Sequence, residues 1–141
     1  MKILFIDDEP RFMRSLVDEF VACGHTLQIV RDIQSASELI QNTDLIFDVV
    51  IVDMVMPSCD EESGDGRRTG LVLYREIRRV RPNQKIVILT NISDPSLKTE
   101  MLACEDASKF RFFRKVDLFP FEFVEEVQKF ATDTPVPDAQ C

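Results

Sequence analysis

Five side chains of this 141-residue chain have the types and placing to do chemistry together: Asp7, Asp8, Asp53, Thr90 and Lys115. Asp7 and Asp8 directly follow the apolar run Ile3-Leu4-Phe5-Ile6, and Asp53 closes the run Val49-Val50-Ile51-Val52. Thr90 ends Ile86-Val87-Ile88-Leu89, and Lys115 follows Phe110-Arg111-Phe112-Phe113-Arg114. Each therefore stands where a buried strand would stop. Carboxylates gathered in a confined place repel one another and lose hydration, and a divalent cation removes that conflict. Mg²⁺ takes hard oxygen ligands and keeps several waters, so two carboxylates and a backbone carbonyl make a partial shell for it. A hydroxyl and an ammonium nearby are what the equatorial oxygens of a transferring phosphoryl group require.

Taken singly, each residue has a plainer reading. Asp7-Asp8-Glu9 stands just before Pro10, and carboxylates favour a helix N-terminus. A threonine that ends a strand is commonplace, and a lysine there is usually solvated. The specific signal is the joint one, polar groups at the ends of four strands.

Those strands must exist and lie side by side for the residues to meet. Short β-rich runs alternate with helical patterns along the chain. Strands are predicted over residues 2–6, 27–30, 48–53, 85–89 and 110–114, and the first, third and fourth are near-continuous apolar runs, as in strands buried on both faces. The first helix begins at Pro10, with Phe12, Met13, Leu16, Val17, Phe20 and Val21 on its inner face, and ends by Gly24. His25, the one histidine, then has a capping or surface role. The second, near residues 33–41, buries Ile33, Ala36, Leu39 and Ile40. The third, near residues 70–80, buries Leu71, Leu73, Tyr74, Ile77 and Val80, and stops before Pro82. A fourth is capped by Ser93 or Asp94, with Leu97, Met101 and Leu102 inward. A fifth follows Pro120 and packs Phe121, Val124, Val127 and Phe130.

This alternation predicts an α/β fold with right-handed crossovers: a flavodoxin-like, five-stranded parallel sheet of order 2-1-3-4-5, with helices on both faces. Ligands of such folds bind outside the carboxyl ends of the strands. Residues 1–131 read as one domain and residues 132–141, with two prolines, as a flexible C-terminal tail. The polar stretch 58–69 interrupts the rhythm. Its plainer reading is a solvated loop, and its sharper one a partner-specific or site-covering segment.

Composition narrows the function classes. Hydrophobic residues make up 45% and charged residues 30%, ordinary for a soluble globular protein. Net charge is −8, from 25 acidic and 17 basic residues, which disfavours nucleic acid and anionic membrane surfaces as partners. No apolar run approaches bilayer length. The four cysteines, Cys23, Cys59, Cys104 and Cys141, lack metal-binding spacing and read as reduced thiols of a cytoplasmic protein.

The runs Ile6-Asp7-Asp8-Glu9-Pro10, Val52-Asp53-Met54-Val55-Met56-Pro57, Leu89-Thr90 and Lys115 together resemble the response-regulator receiver domains of two-component signalling, over about residues 1–131. The resemblance implies a single-domain, chemotaxis-type phosphorylation switch rather than an enzyme with a separate substrate. By it Asp53 is the phosphoacceptor, and Mg²⁺ is the cofactor, held by Asp8, Asp53 and the carbonyl of Val55, with Asp7 completing or assisting that shell. Thr90 hydrogen-bonds the phosphoryl group and Lys115 pairs with it. Phe112, otherwise a core strand residue, matches the aromatic switch that turns inward with Thr90. The implied partners are a histidine kinase or histidine phosphotransfer protein and a downstream protein target, with a phosphorylation-dependent dimer allowed.

Two residues at the site depart from the family pattern. Val116 replaces the proline usual after the site lysine, so a trans peptide bond is expected there, because a non-proline cis bond costs about 3–4 kcal/mol. Asn91 replaces a small residue beside the site hydroxyl. The competing class is a pseudo-receiver, the same fold used as a phosphorylation-independent interaction module. An aspartyl hydrolase would want an Asp-x-Asp pair, which Asp53-Met54-Val55 lacks. A flavin protein of this fold would need a phosphate-cradling loop where Asp7-Asp8-Glu9 stands. An amide at Asn91 would crowd the phosphoryl group or orient an attacking water. Asn91→Ala is therefore expected to change the lifetime of the phosphorylated form, and an unchanged lifetime contradicts this role.

Overall fold

The computed structural model describes residues 1–7, 10–53, 66–90, 99, 103, 108–114 and 119–132. Within them five strands form one parallel sheet: β1 (Lys2–Ile6), β2 (Thr26–Val30), β3 (Val49–Asp53), β4 (Ile86–Thr90) and β5 (Phe110–Arg114). Their spatial order is β2-β1-β3-β4-β5, the flavodoxin-like order expected from the alternation of elements. Four helices are described: α1 (Pro10–Ala22), α2 (Ile33–Gln41), α3 (Gly66–Val80) and α4 (Pro120–Thr132). The helix expected after Ser93, with Leu97, Met101 and Leu102, lies outside the described residues.

The apolar runs are continuous because both faces of the sheet are covered. Ile3 and Phe5 of β1, Val49 and Ile51 of β3, and Val87 and Leu89 of β4 pack with Leu16 and Phe20 of α1 and with the inner side of α4. The alternate residues, Leu4, Ile6, Val50, Val52, Ile86 and Ile88, pack with Ala36 and Ile40 of α2 and Leu73, Tyr74 and Ile77 of α3. The period-two alternation of side chains thus divides the interior into two layers. No central-strand residue is left to carry charge except at its ends.

Local chemistry sets the helix boundaries. Asp32 caps α2, its Oδ1 accepting the Ser35 N–H at 2.7 Å, which satisfies one of the unpaired donors of the first turn. At the far end of α2, Arg81 donates to the carbonyls of Ile40 at 3.0 Å and Asn42 at 2.9 Å. Gly24, with φ of 87°, makes the left-handed turn that ends α1. His25 caps α1, its N–H donating to the Phe20 carbonyl at 3.0 Å, and its ring links the chain's N-terminus to α4: Nδ1 lies 3.1 Å from the Met1 amine and Nε2 2.6 Å from the Gln128 amide. Burial first, and then the terminal positive charge, lowers its pKa below the usual value.

Three sequence expectations need correction. α3 begins at Gly66 rather than Gly70, so the polar stretch 58–69 ends inside a helix. Arg67 and Arg68 are good helix formers, and their polarity concealed it. Val21 is 58% exposed, because Leu16 and Phe20 already fill the inward stripe of α1. On α4 Phe123 is fully enclosed beside the expected Val124, Val127 and Phe130, while Phe121 is 61% exposed. Phe123 meets Phe20 edge-on at 6.1 Å and Phe113 at 5.4 Å. Removing a buried aromatic leaves a cavity, so Phe123→Ala should lower the unfolding free energy by about 3–5 kcal/mol. Phe121→Ala should change it by less than about 0.5 kcal/mol. Urea unfolding of the two variants checks this, and equal losses would contradict the assignment.

Candidate functional site

A parallel sheet delivers all its carboxyl ends to one rim. β1 and β3 pair with Ile6 opposite Val52. Carrying that register one residue further sets Asp7 level with Asp53, on backbones about 4.8 Å apart. Asp7 is fully buried, and its N–H donates to the Val30 carbonyl at the end of β2, 3.1 Å away. That bond fixes the backbone just beyond β1, where the acidic pair begins. On the other side, Asp53 is opposite Leu89 of β4, and Thr90 is the next residue. The last described pairing sets Thr90 opposite Arg114 of β5.

The structure therefore brings the backbones of Asp7, Asp53 and Thr90 together at the carboxyl rim, on the three adjacent strands β1, β3 and β4. The side chains of Asp53 and Thr90, and all of Asp8, Val55, Asn91, Lys115 and Val116, lie outside the described residues. Phe112 stands opposite Ile88, half-buried, and packs on the layer shared with α2 and α3. It lies two residues below the end of β5.

Chemically, the rim suits a hard cation. Asp7 is a carboxylate removed from water, level with a second aspartate on the neighbouring strand. A buried carboxylate is costly unless its charge is balanced, and carboxylate oxygens are the ligand type that Mg²⁺ takes. Among the described residues no group of three or more potential ligands forms.

Sequence reasoning passed over Arg114. It ends β5, is half-buried, and is the register partner of Thr90. The readable signal was a charge closing the aromatic run Phe110–Phe113, one residue before Lys115. The two groups with shifted titration among the described residues are His25 and Arg81. Both lie toward the other end of the sheet, and burial lowers the Arg81 guanidinium.

Residues 3–112 match the family described as the response regulator receiver domain. No curated protein matches the chain. Among solved structures, a CheY-like receiver domain protein from Methanospirillum hungatei JF-1 superposes with a TM-score of 0.71 at 18% identity, over 92% of each chain. The non-phosphorylated HemR receiver domain of Leptospira biflexa gives a TM-score of 0.75 at 19% identity, over 94% of this chain and 95% of that one. A response regulator from Burkholderia pseudomallei, with a phosphorylated aspartic acid and a calcium ion, gives 0.68 at 19% identity, over 99% of this chain and 70% of that one.

Proposed function

This chain belongs to the response regulator receiver domain family, and we propose that it is a Mg²⁺-dependent phosphorylation switch whose acceptor is Asp53. The observation that carries the reading is the level placement of Asp53 beside the fully buried Asp7 at the carboxyl rim. In this reading residues 1–131 are the receiver domain and 132–141 a tail.

The Asp53 carboxylate attacks the phosphorus of a phosphohistidine on a histidine kinase or phosphotransfer protein. One P–O bond forms as the donor P–N bond breaks, and the donor imidazole takes up a proton. Asp7, Asp8, Asp53 and the Val55 carbonyl would hold Mg²⁺. When bound, the ion supplies charge neutralisation for the phosphoryl oxygens. Lys115 pairs with the same oxygens and Thr90 donates a hydrogen bond to one of them, so the chain's own groups position and stabilise the transfer.

The product adds about −1.5 to −2 charges at one rim. A signal needs an element with two arrangements that this charge biases. Thr90 and Phe112 are the proposed pair: the hydroxyl is drawn to the phosphoryl group, and the half-buried ring follows. Output is through altered contacts with a protein target or onward phosphoryl transfer, with phosphorylation-driven dimerisation as one form of altered contact. The chain's acidity argues against nucleic acid as the target. Among the described residues no helix is long and apolar enough to cross a membrane, and the proposed location is cytoplasmic.

A pseudo-receiver is the second reading, left open by Asn91 and Val116 although the set Asp7, Asp8, Asp53, Thr90 and Lys115 speaks against it. Intact-mass measurement after incubation with acetyl phosphate separates the two. The expected result is a gain of one phosphoryl mass that requires Mg²⁺ and disappears in Asp53→Asn. No gain, or a gain that persists in Asp53→Asn, overturns the switch.

A further inference from the structure

The sheet has two edge strands, β2 and β5, and they are defended differently. Ile86 N–H donates to the Lys109 carbonyl at 2.9 Å, so alternate residues of β5 turn their backbone groups to β4 and the Phe110 carbonyl points outward. Arg111 Nη1 donates to that carbonyl at 2.9 Å, covering it. A second charge, Arg114, closes the strand. β2 reads Thr-Leu-Gln-Ile-Val, with neither a charge nor a proline. Charged side chains and prolines are the usual means of keeping an edge strand from pairing with another chain. β2 lacks them.

The ladder with β1 fixes which backbone groups of β2 are free. Thr26 N–H donates to the Met1 carbonyl at 2.9 Å, and the Val30 carbonyl accepts the Asp7 N–H at 3.1 Å. In a parallel pair the two groups of one residue point the same way and successive residues alternate. Thr26, Gln28 and Val30 therefore face β1, while Leu27 and Ile29 turn their N–H and C=O groups to the open edge. Among the described residues no strand, side chain or turn pairs with those groups. Side chains follow the same alternation. Leu27 packs on the layer shared with α1 and α4, and Ile29, 38% exposed, stands on that face. Gln28 is exposed on the other.

This edge is complementary to itself. With two copies antiparallel about Gln28, Leu27 stands opposite Ile29 of the second copy, and Ile29 opposite its Leu27. Each such pair exchanges two N–H···O bonds, so every outward group of β2 is satisfied. Gln28 then meets Gln28 of the second copy at the unbonded position between them, where side chains are closest. Sliding the register toward His25 spoils the match, because the His25 N–H already donates to the Phe20 carbonyl at 3.0 Å. Sliding it the other way runs past the end of the strand at Val30. We propose that the chain self-associates through β2, edge to edge and antiparallel, joining two copies in one continuous sheet about a closed two-fold axis. So short a strand makes a small interface and hence a weak, exchanging dimer. It uses no residue of the proposed phosphorylation site, and Asp53→Asn should leave it unchanged.

Amide hydrogen exchange and sedimentation of the full chain, followed from micromolar to millimolar concentration, test it. Exchange at Leu27 and Ile29 should slow as concentration rises, while Thr26 and Gln28, already bonded to β1, should not change. Gln28→Lys and Gln28→Glu each set like charges face to face across the axis, and each should weaken self-association about fivefold, the scale of one cross-strand pair. An equal mixture of the two variants sets opposite charges face to face and should recover the association. Exchange at Leu27 and Ile29 that is independent of concentration overturns the inference. So does self-association that neither variant weakens, which puts the contact elsewhere, or a mixture that associates no better than either variant alone.

Discussion

A parallel sheet buried on both faces has nowhere to put charge except at its ends, and this exclusion organises the molecule. Leu4, Phe5, Val50, Ile51, Val87 and Ile88 are wholly removed from water. An unpaired charge among them would carry the several-kcal/mol penalty of leaving water. Because the strands run the same way, their carboxyl ends are also gathered in one place. The polar residues that close separate apolar runs become neighbours without any contact between them in sequence. Chemistry at the rim is a consequence of the exclusion from the middle.

The two rims carry opposite character. At the carboxyl rim the buried Asp7 follows the last pair of β1 and β3, Ile6 with Val52, which sets its backbone level with that of Asp53. At the other rim cations are tied to backbone carbonyls: Arg81 to the end of α2, Lys85 to the end of α4. Helix C-termini bear partial negative charge, so these cations stabilise the ends they hold. Gln84, almost fully buried, adds a bond to the Phe47 carbonyl at 3.0 Å. The rim remote from the candidate site is thus braced by these bonds, while Thr90, proposed as a switch residue, ends β4 at the other rim.

The sheet was readable because its signal is redundant. Every residue of a doubly covered strand must be apolar, so the runs at β1, β3 and β4 marked both existence and order, with ends shifted by about one residue. The rim aspartates and threonine were readable for the same reason, as polar residues that close such runs. Helix faces were less legible. Phe121 and Phe123 are equivalent to a hydrophobicity count, and only the angle at which α4 lies on the sheet selects Phe123. The extra turn of α3 was hidden by polar residues that are good helix formers. Contacts made by Arg81, Gln84 and Lys85 join residues about 40 positions apart, and no local pattern announces them. Arg114 was obscured by the lysine that follows it in the sequence.

The proposed cation-binding centre lies where β1 and β3 end. The most direct measurement is a Mg²⁺ titration followed through backbone amide resonances. Saturable shifts are expected at Asp7, Asp53 and Thr90, with residues 83–85 at the far rim unmoved and the response weakened in Asp53→Asn. Absence of a saturable response at Asp7 and Asp53, or a response centred on Asp44 and Asp48 instead, would contradict it.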